Sequence, residues 1–301
     1  MFRKGSLVLL AGIAILAMAA PVWAANNDDS QTALPLLRTG VDARALGMGN
    51  AYVGLANDAS AGYWNPAGLY WMNEGQTSLN TMYTAGLSYD RFHNYIGVAH
   101  RFQTMALAAS WVNAGVRDVQ GYDASGNPTT TSGEFDNVFI ASMALGTDRA
   151  AFGFSLKGYT QNLFSESRNG LGLDAGVQLK LTDMVMLGAA VQDIGGSLGP
   201  SNQLPVDWRV GAGIRPAEHF NIGLDVEKVN LNDHMMFHGG AEYGVKFGDD
   251  AMAMLRAGVN DSHFTAGLGV RVSKIEANYA FTSESEETLG NSHRVSLLFN
   301  F

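Results

Sequence analysis

A search for chemistry starts with His234 and His238, the pair of histidines closest in sequence among seven. Four residues apart on a strand, they share a face and could hold a metal ion. Beside a loop mouth such a pair is more often two solvated side chains. His93, His100, His219, His263 and His293 are scattered. Gly47-Met48-Gly49 followed by Gly54 does not make G-x-G-x-x-G, and no strand precedes it to aim a phosphate cradle. No G-x-S-x-G elbow occurs. Asp123-Ala124-Ser125-Gly126-Asn127 is a turn and not a calcium loop. With no cysteine there is no thiolate nucleophile and no disulfide. We therefore read no catalytic group, no metal site and no cofactor.

The charges that remain informative sit in a segment that cannot bury itself. Gly40–Leu69 is rich in small residues and follows neither a helical nor a strand period. Arg44 and Asp58 within it need partners if the stretch is shut off from water. Pro66 fixes its own φ and turns Asn65 away from the helical region, making a rigid corner. Tyr63, Trp64, Tyr70 and Trp71 flank that corner, either as an apolar gate or as packing against a wall. The segment reads as a plug, with the rest of the chain as its wall.

From about Gln76 to Phe301 the apolar period becomes two. Leu171, Leu173, Ala175, Val177, Leu179 and Leu181 alternate with Gly172, Asp174, Gly176, Gln178 and Lys180. Segments 206–215, 220–227 and 263–273 alternate as clearly, and weaker runs fall at 76–89, 94–102, 104–113, 135–145, 150–162, 184–193, 235–247, 251–260, 275–284 and 291–301. That is about 14 strands, an even number as single-chain bacterial barrels need. The turns predicted on one side are all short. The other side carries the long loops, Gly115–Glu134, Phe164–Asn169, Ile194–Gln203, Asn230–His234 and Ser285–Asn291, with two further short turns near Asp90–His93 and Asn260–Ser262. A soluble all-β protein would alternate too, with its apolar face turned inward. The glycine-heavy polar face, 16% charged residues and 36 glycines favour the membrane barrel. The fold class is an all-β, antiparallel up-and-down transmembrane β-barrel of about 14 strands with an N-terminal plug in its lumen.

The polar face supplies wall partners for Arg44 and Asp58: Asp174, Lys180, Asp207, Arg209, Asp225, Glu227, Glu242, Lys246, Arg256, Arg271 and Glu276. We expect Arg44 to meet a wall carboxylate and Asp58 a wall Arg or Lys. Residues 1–24 read as a cleaved secretory signal, with Arg3 and Lys4 before an apolar run and Val22-Trp23-Ala24 at its end. The expected division is 1–24 signal, 25–75 N-terminal segment and hatch, 76–301 barrel. A net charge of −9 argues against nucleic acid. Phe299 and Phe301 end an alternating last strand, which is similar to the assembly signal of bacterial outer-membrane barrels and implies the barrel-assembly machinery as a partner.

GVDARALGMGNAYVGLANDASAGYWNPAGL resembles the N-terminal signature of the PorV/PorQ-type outer-membrane proteins, within the wider FadL-like (FadL/TodX) superfamily. Ala43, Arg44, Gly47, Met48, Gly49, Ala51, Val53, Ala56, Asp58, Ala59, Ala61 and Asn65-Pro66-Ala67-Gly68-Leu69 carry the resemblance. It implies a hatch over Leu37 to about Met72, with Arg44, Gly47, Met48, Gly49, Asp58, Trp64, Asn65, Pro66, Ala67 and Gly68 as hatch or gate residues. It also implies a monomer in the Gram-negative outer membrane, surrounded by lipid, and no catalysis. Two functions follow from it: passage of small hydrophobic compounds, or an accessory role with type IX-like protein-secretion proteins. The first predicts a continuous apolar tunnel from the outer loops past Met48 and Trp64, and the second a solidly filled lumen with an exposed apolar or aromatic patch at the extracellular rim. One departure from the fatty-acid transporters is that the third strand, Thr104–Asn113, has no internal Gly or Pro to mark a kink.

Overall fold

Every apolar-alternating run becomes a strand, because a closed barrel is the one way a sheet satisfies all its backbone groups in lipid. A computed structural model describes residues 34, 39–85, 90–163, 166–199, 202–230, 235–283 and 291–301. The proposed signal and the segment up to residue 33 lie outside these residues, as do 35–38 at the start of the expected hatch. Fourteen strands form the closed barrel: β1 (Thr77–Ala85), β2 (Arg91–Arg101), β3 (Met105–Tyr122), β4 (Pro128–Gly146), β5 (Ala150–Leu163), β6 (Glu166–Lys180), β7 (Val185–Ile194), β10 (Asp207–Ala217), β11 (Phe220–Val229), β12 (Met236–Phe247), β13 (Ala251–Asn260), β14 (His263–Val272), β15 (Ile275–Thr282) and β16 (Ser292–Asn300). All neighbours run antiparallel, and β16 closes on β1 with Leu79 opposite Phe299. β8 (Ser197–Leu198) and β9 (Asn202–Gln203) form a small separate hairpin between β7 and β10.

Alternation alone leaves open which face looks inward, and burial decides it. On β6, Leu171 and Leu173 are 64% and 52% exposed, while Asp174 beside them is 2% exposed. The same holds at Leu224 against Asp225, and at Leu255 against Arg256. Apolar residues point outward and charged residues inward, which is a transmembrane barrel.

Several boundaries differ from the sequence reading. The long loop expected over Gly115–Glu134 is mostly strand: β3 and β4 run on as a hairpin whose tip is 123–127. Both faces there are exposed to water, so the apolar period that marks a strand is absent from the sequence. The full-length β3 does contain Gly115 and Gly121, and its register with β4 shifts between Val116 and Val119. Of the turn placed near Asp90–His93, Arg91–His93 are already strand, since β2 starts at Arg91; residues 86–89 lie outside the described part. Residues 164–165, 231–234 and 284–290 of the expected loops also lie outside it.

Candidate functional site

Residues 39–72 run through the lumen with their side chains almost wholly buried. Three short elements hold them: α1 (Ala43–Gly47), α2 (Ala61–Trp64) and the 3₁₀ turn Pro66–Trp71. Asp42 caps α1 through Arg44 N at 3.3 Å and accepts from Ser296 Oγ at 2.7 Å. Asn65 Oδ1 caps the 3₁₀ turn at Ala67 N, and Pro66 begins it. A lone segment this short could not hold such turns, so the wall must stabilise them.

Wall glycines allow that contact. Gly213, Gly223, Gly240 and Gly258 lie directly opposite one another across β10, β11, β12 and β13. The segment's backbone lies on this row, with Ala51 against Gly223 and Met48 against Gly240 and Gly258. A Cβ on Gly240 would fall 2.6 Å from the Met48 carbonyl carbon, so only glycine fits. Gly153 and Gly176 receive Pro66, Gly188 receives Val53, and Gly267 receives Gly47. From Pro66 back to Gly47 the segment thus visits β5, β6, β7, β10, β11, β12, β13 and β14 in turn. Gly49 itself has φ of 67° and faces the Val259 and Gly239 carbonyls.

Polar wall groups secure the backbone that the glycines admit. Asp225 Oδ2 accepts from Tyr52 N at 2.8 Å and Val53 N at 2.9 Å. Gln178 Nε2 donates to Val53 O, as does Asn65 Nδ2. Thr265 Oγ1 donates to Gly47 O, and Tyr95 Oη to Ala59 O. Arg44 forms a two-pronged pair with Glu242, Nε to Oε2 at 3.0 Å and Nη2 to Oε1 at 2.9 Å. Arg256 Nε also donates to Glu242 Oε2 at 2.6 Å and reaches Glu276, which holds Arg271. A relay of alternating charge therefore runs Arg44–Glu242–Arg256–Glu276–Arg271 from segment to rim. Arg271 is less enclosed than the sequence reading had it, with its side chain 42% exposed.

Other expected partners fall elsewhere. Asp58 bonds within the segment, to Tyr52 Oη at 2.9 Å, Ser60 N at 2.8 Å and Ser60 Oγ at 2.6 Å, with Arg44 3.9 Å away. Among the described residues it meets no wall cation, because the folded segment brings the Tyr52 and Ser60 donors nearer. Lys180 and Lys246 lie at the short-turn rim on Asp183 and Glu218 and do not reach the segment. Arg209 pairs with Glu227, donates to Asn50 O at 3.1 Å and lies over the Trp64 ring at 5.1 Å; Asp207 is 3.9 Å away. His238 Nε2 lies 3.0 Å from Glu227, while His234 lies outside the described residues. Phe299 and Phe301 lie at the closing strand, where Phe301 exchanges backbone bonds with Thr77.

Trp64 and Met48 are packed and almost unexposed; Trp64 Nε1 donates to Val41 O at 3.0 Å. The tunnel expected past them is not open here. Tyr63 instead faces a small cavity on the long-loop side of the segment. Its walls are the inward Val112, Val138 and Ile140 of β3 and β4, with Leu204 and Leu34, and the volume is about 30 Å³. Lys157, Asp193, Gln192 and Arg209 edge it; Lys157 pairs with Asp174 at 3.0 Å and Asp193 at 2.9 Å. That apolar patch and Lys157 escaped the sequence reading. Carrying the alternation of β5 through Phe154 and Leu156 would have turned Lys157 inward. The inward valines and isoleucine break the polar-in rule and gave no signal.

No family model matches the chain, and no curated protein matches it. Solved structures share its fold. The Ralstonia pickettii toluene transporter TbuX is similar at 13% identity with TM-score 0.61, over 87% of this chain and 97% of that one. The P. putida toluene transporter TodX gives 12% and 0.62 over 87% and 98%. A Pseudomonas aeruginosa FadL homologue gives 11% and 0.58 over 87% and 98%.

Proposed function

We propose that this barrel passes small hydrophobic compounds across the Gram-negative outer membrane, with residues 39–72 as its gate. The observation that carries the reading is the inward apolar group Val112, Val138 and Ile140, which with Tyr63 forms one part of the cavity against the segment, the rest of its lining being largely polar or charged. A lumen built only as a water pore would keep polar residues there. About 30 Å³ holds about one or two water molecules, so a ring-sized compound enters only when the segment or its side chains shift. The barrel fold shared with toluene transporters supports the same reading. Monomeric state, a cleaved leader and delivery by the barrel-assembly machinery belong to this proposal.

The test uses the full chain in cells that lack their own channels for such compounds and keep an intact lipopolysaccharide layer. Uptake of labelled toluene rises with the protein and falls to background with Ile140→Asp. Uptake equal to that of empty cells would sink the reading. A second reading, the PorV-like accessory of protein secretion, draws on the β3–β4 hairpin standing beyond the neighbouring strands. Trimming 117–132 to a tight turn leaves toluene uptake intact under the first reading and abolishes protein export under the second.

A further inference from the structure

The charged part of the cavity beside Tyr63 is not balanced. Two cations line it, Lys157 and Arg209, and each faces two acids. Lys157 Nζ lies 3.0 Å from Asp174 and 2.9 Å from Asp193. Arg209 pairs with Glu227 and lies 3.9 Å from Asp207. Four carboxylates thus stand against two cations, and a protonated His238, 3.0 Å from Glu227, brings the cations only to three. Further acids follow toward the long-loop mouth. On β4 the inward residues beyond Val138 are Asp136 and then Glu134. Asp136 is 0% exposed, and among the described residues its carboxylate has neither a hydrogen-bond donor nor an ion-pair partner. Gln161, opposite it on β5, donates to Glu134 at 3.2 Å. At that rim Arg91 stands two strands from Glu134, across Val116, and Arg168 is paired with Glu166.

Enclosed carboxylates act on a bound molecule without touching it. At an effective dielectric of about 20, a unit charge roughly 8 Å away still changes an ion's affinity by about tenfold or more. The excess of acids therefore repels an anion, leaves a neutral molecule unaffected and draws a cation. The walls decide which cation. Among the described residues no three acid or histidine side chains converge as a metal site needs. Val112, Val138, Ile140 and Leu204 offer a metal ion no ligand and suit a hydrocarbon body. Tyr63 and Tyr159 line the same space, and ring faces attract an organic ammonium. Tyr159 Oη donates to Asp193 Oδ1 at 2.6 Å, so a ring and a carboxylate stand side by side.

We infer that this cavity selects small hydrophobic amines in their protonated form, ahead of neutral compounds of the same size and against carboxylates. The inference rests on the reading of the lumen as a passage for small hydrophobic compounds and adds the charge of the preferred cargo. The test is equilibrium dialysis of the purified full chain at pH 7 against benzylamine, benzyl alcohol and benzoate, with bare detergent micelles as the blank. The three probes share one ring and differ in charge. Benzylamine binds tightest, benzyl alcohol about tenfold more weakly and benzoate weakest. Asp136→Asn weakens the amine by about tenfold and leaves the alcohol unchanged, an outcome that a merely structural role for Asp136 does not give. Glu134→Gln, at a less enclosed position, moves the amine the same way by a smaller factor. Both variants keep the heat-dependent gel shift of the folded barrel. If benzyl alcohol binds and the amine binds no better, or if Asp136→Asn and Glu134→Gln both leave the amine unchanged, the charge preference is overturned while the passage of hydrophobic compounds stands. If none of the three probes binds, the cavity takes no ring and the reading beneath it falls too.

Discussion

Replacing Glu242 with Gln should release the lumen segment while leaving the barrel closed. Glu242 is 4% exposed and is the shared anion of Arg44 and Arg256. The wild-type cluster balances Arg44, Arg256 and Arg271 with Glu242, Glu276 and Asp58. The variant keeps all three cations and loses one of three anions. Asn221 Nδ2, which donates to Glu242 Oε1 at 2.8 Å, can still bond the amide oxygen. Among the described residues Arg44 then keeps only Asp58, at 3.9 Å, within ion-pair distance. Removing one member of a buried pair costs about 3–5 kcal/mol. The fourteen-strand ladder does not use this side chain, so the loss falls on docking of 42–58. Hydrogen exchange read by mass spectrometry should speed up by about a hundredfold or more across that stretch, with β10–β14 unchanged. The double variant Arg44→Gln/Glu242→Gln should recover part of it, because the uncompensated cation is gone. Unchanged exchange at 42–58 in the single variant, or strict additivity in the double, would refute the relay as the latch.

Three further expectations follow from the same contacts. Gly240→Ala sets a methyl against the Met48 carbonyl and should cost about 1–3 kcal/mol of docking, seen as faster exchange at 47–52 and as ion leakage through planar bilayers. Asp225→Asn keeps the shape and loses the charge that receives Tyr52 N and Val53 N; about 1–2 kcal/mol should be lost, with protease cutting near residue 52 as the readout. At the hairpin tip, the side chain and N–H of Asn127, with the N–H of Ser125, hold the Asp123 carboxyl below its usual value. A depressed carboxyl pKa adds order above the unfolded value, near pH 4, and that order is lost as pH falls through the folded pKa. Amide exchange at 124–127, corrected for intrinsic rate, should therefore lose protection below about pH 4, and Asp123→Ala should abolish that dependence.

Strand number, the alternating wall and the presence of a separate small-residue segment were legible in the chain, because a lipid-facing strand must be apolar at every second position. Asp174, Asp207, Arg209, Asp225, Glu227, Glu242 and Arg256 could be assigned to one face by counting. Their partners could not. Asp58 took Tyr52 and Ser60 rather than a wall cation because a turn of the segment brings those donors closer than any strand does. The β3–β4 extension was hidden because strand outside the membrane carries no apolar face.

Tertiary structure alone settled three matters. Period-two alternation is symmetric between the faces, so only closure showed that Leu173 meets lipid and Asp174 the lumen. The wall glycines looked like the sparse polar face of a barrel. Registering β10 to β13 showed Gly213, Gly223, Gly240 and Gly258 as one row, cut to the backbone it carries. Arg215 looked like any strand-end charge; folding places it on the lining of a cavity at the short-turn mouth that Lys180 and Asp183, paired with each other, also line. Which faces exist is a local property of the chain, fixed by residue period. Which side chains meet across a lumen depends on the strand register and closure that bring distant residues together.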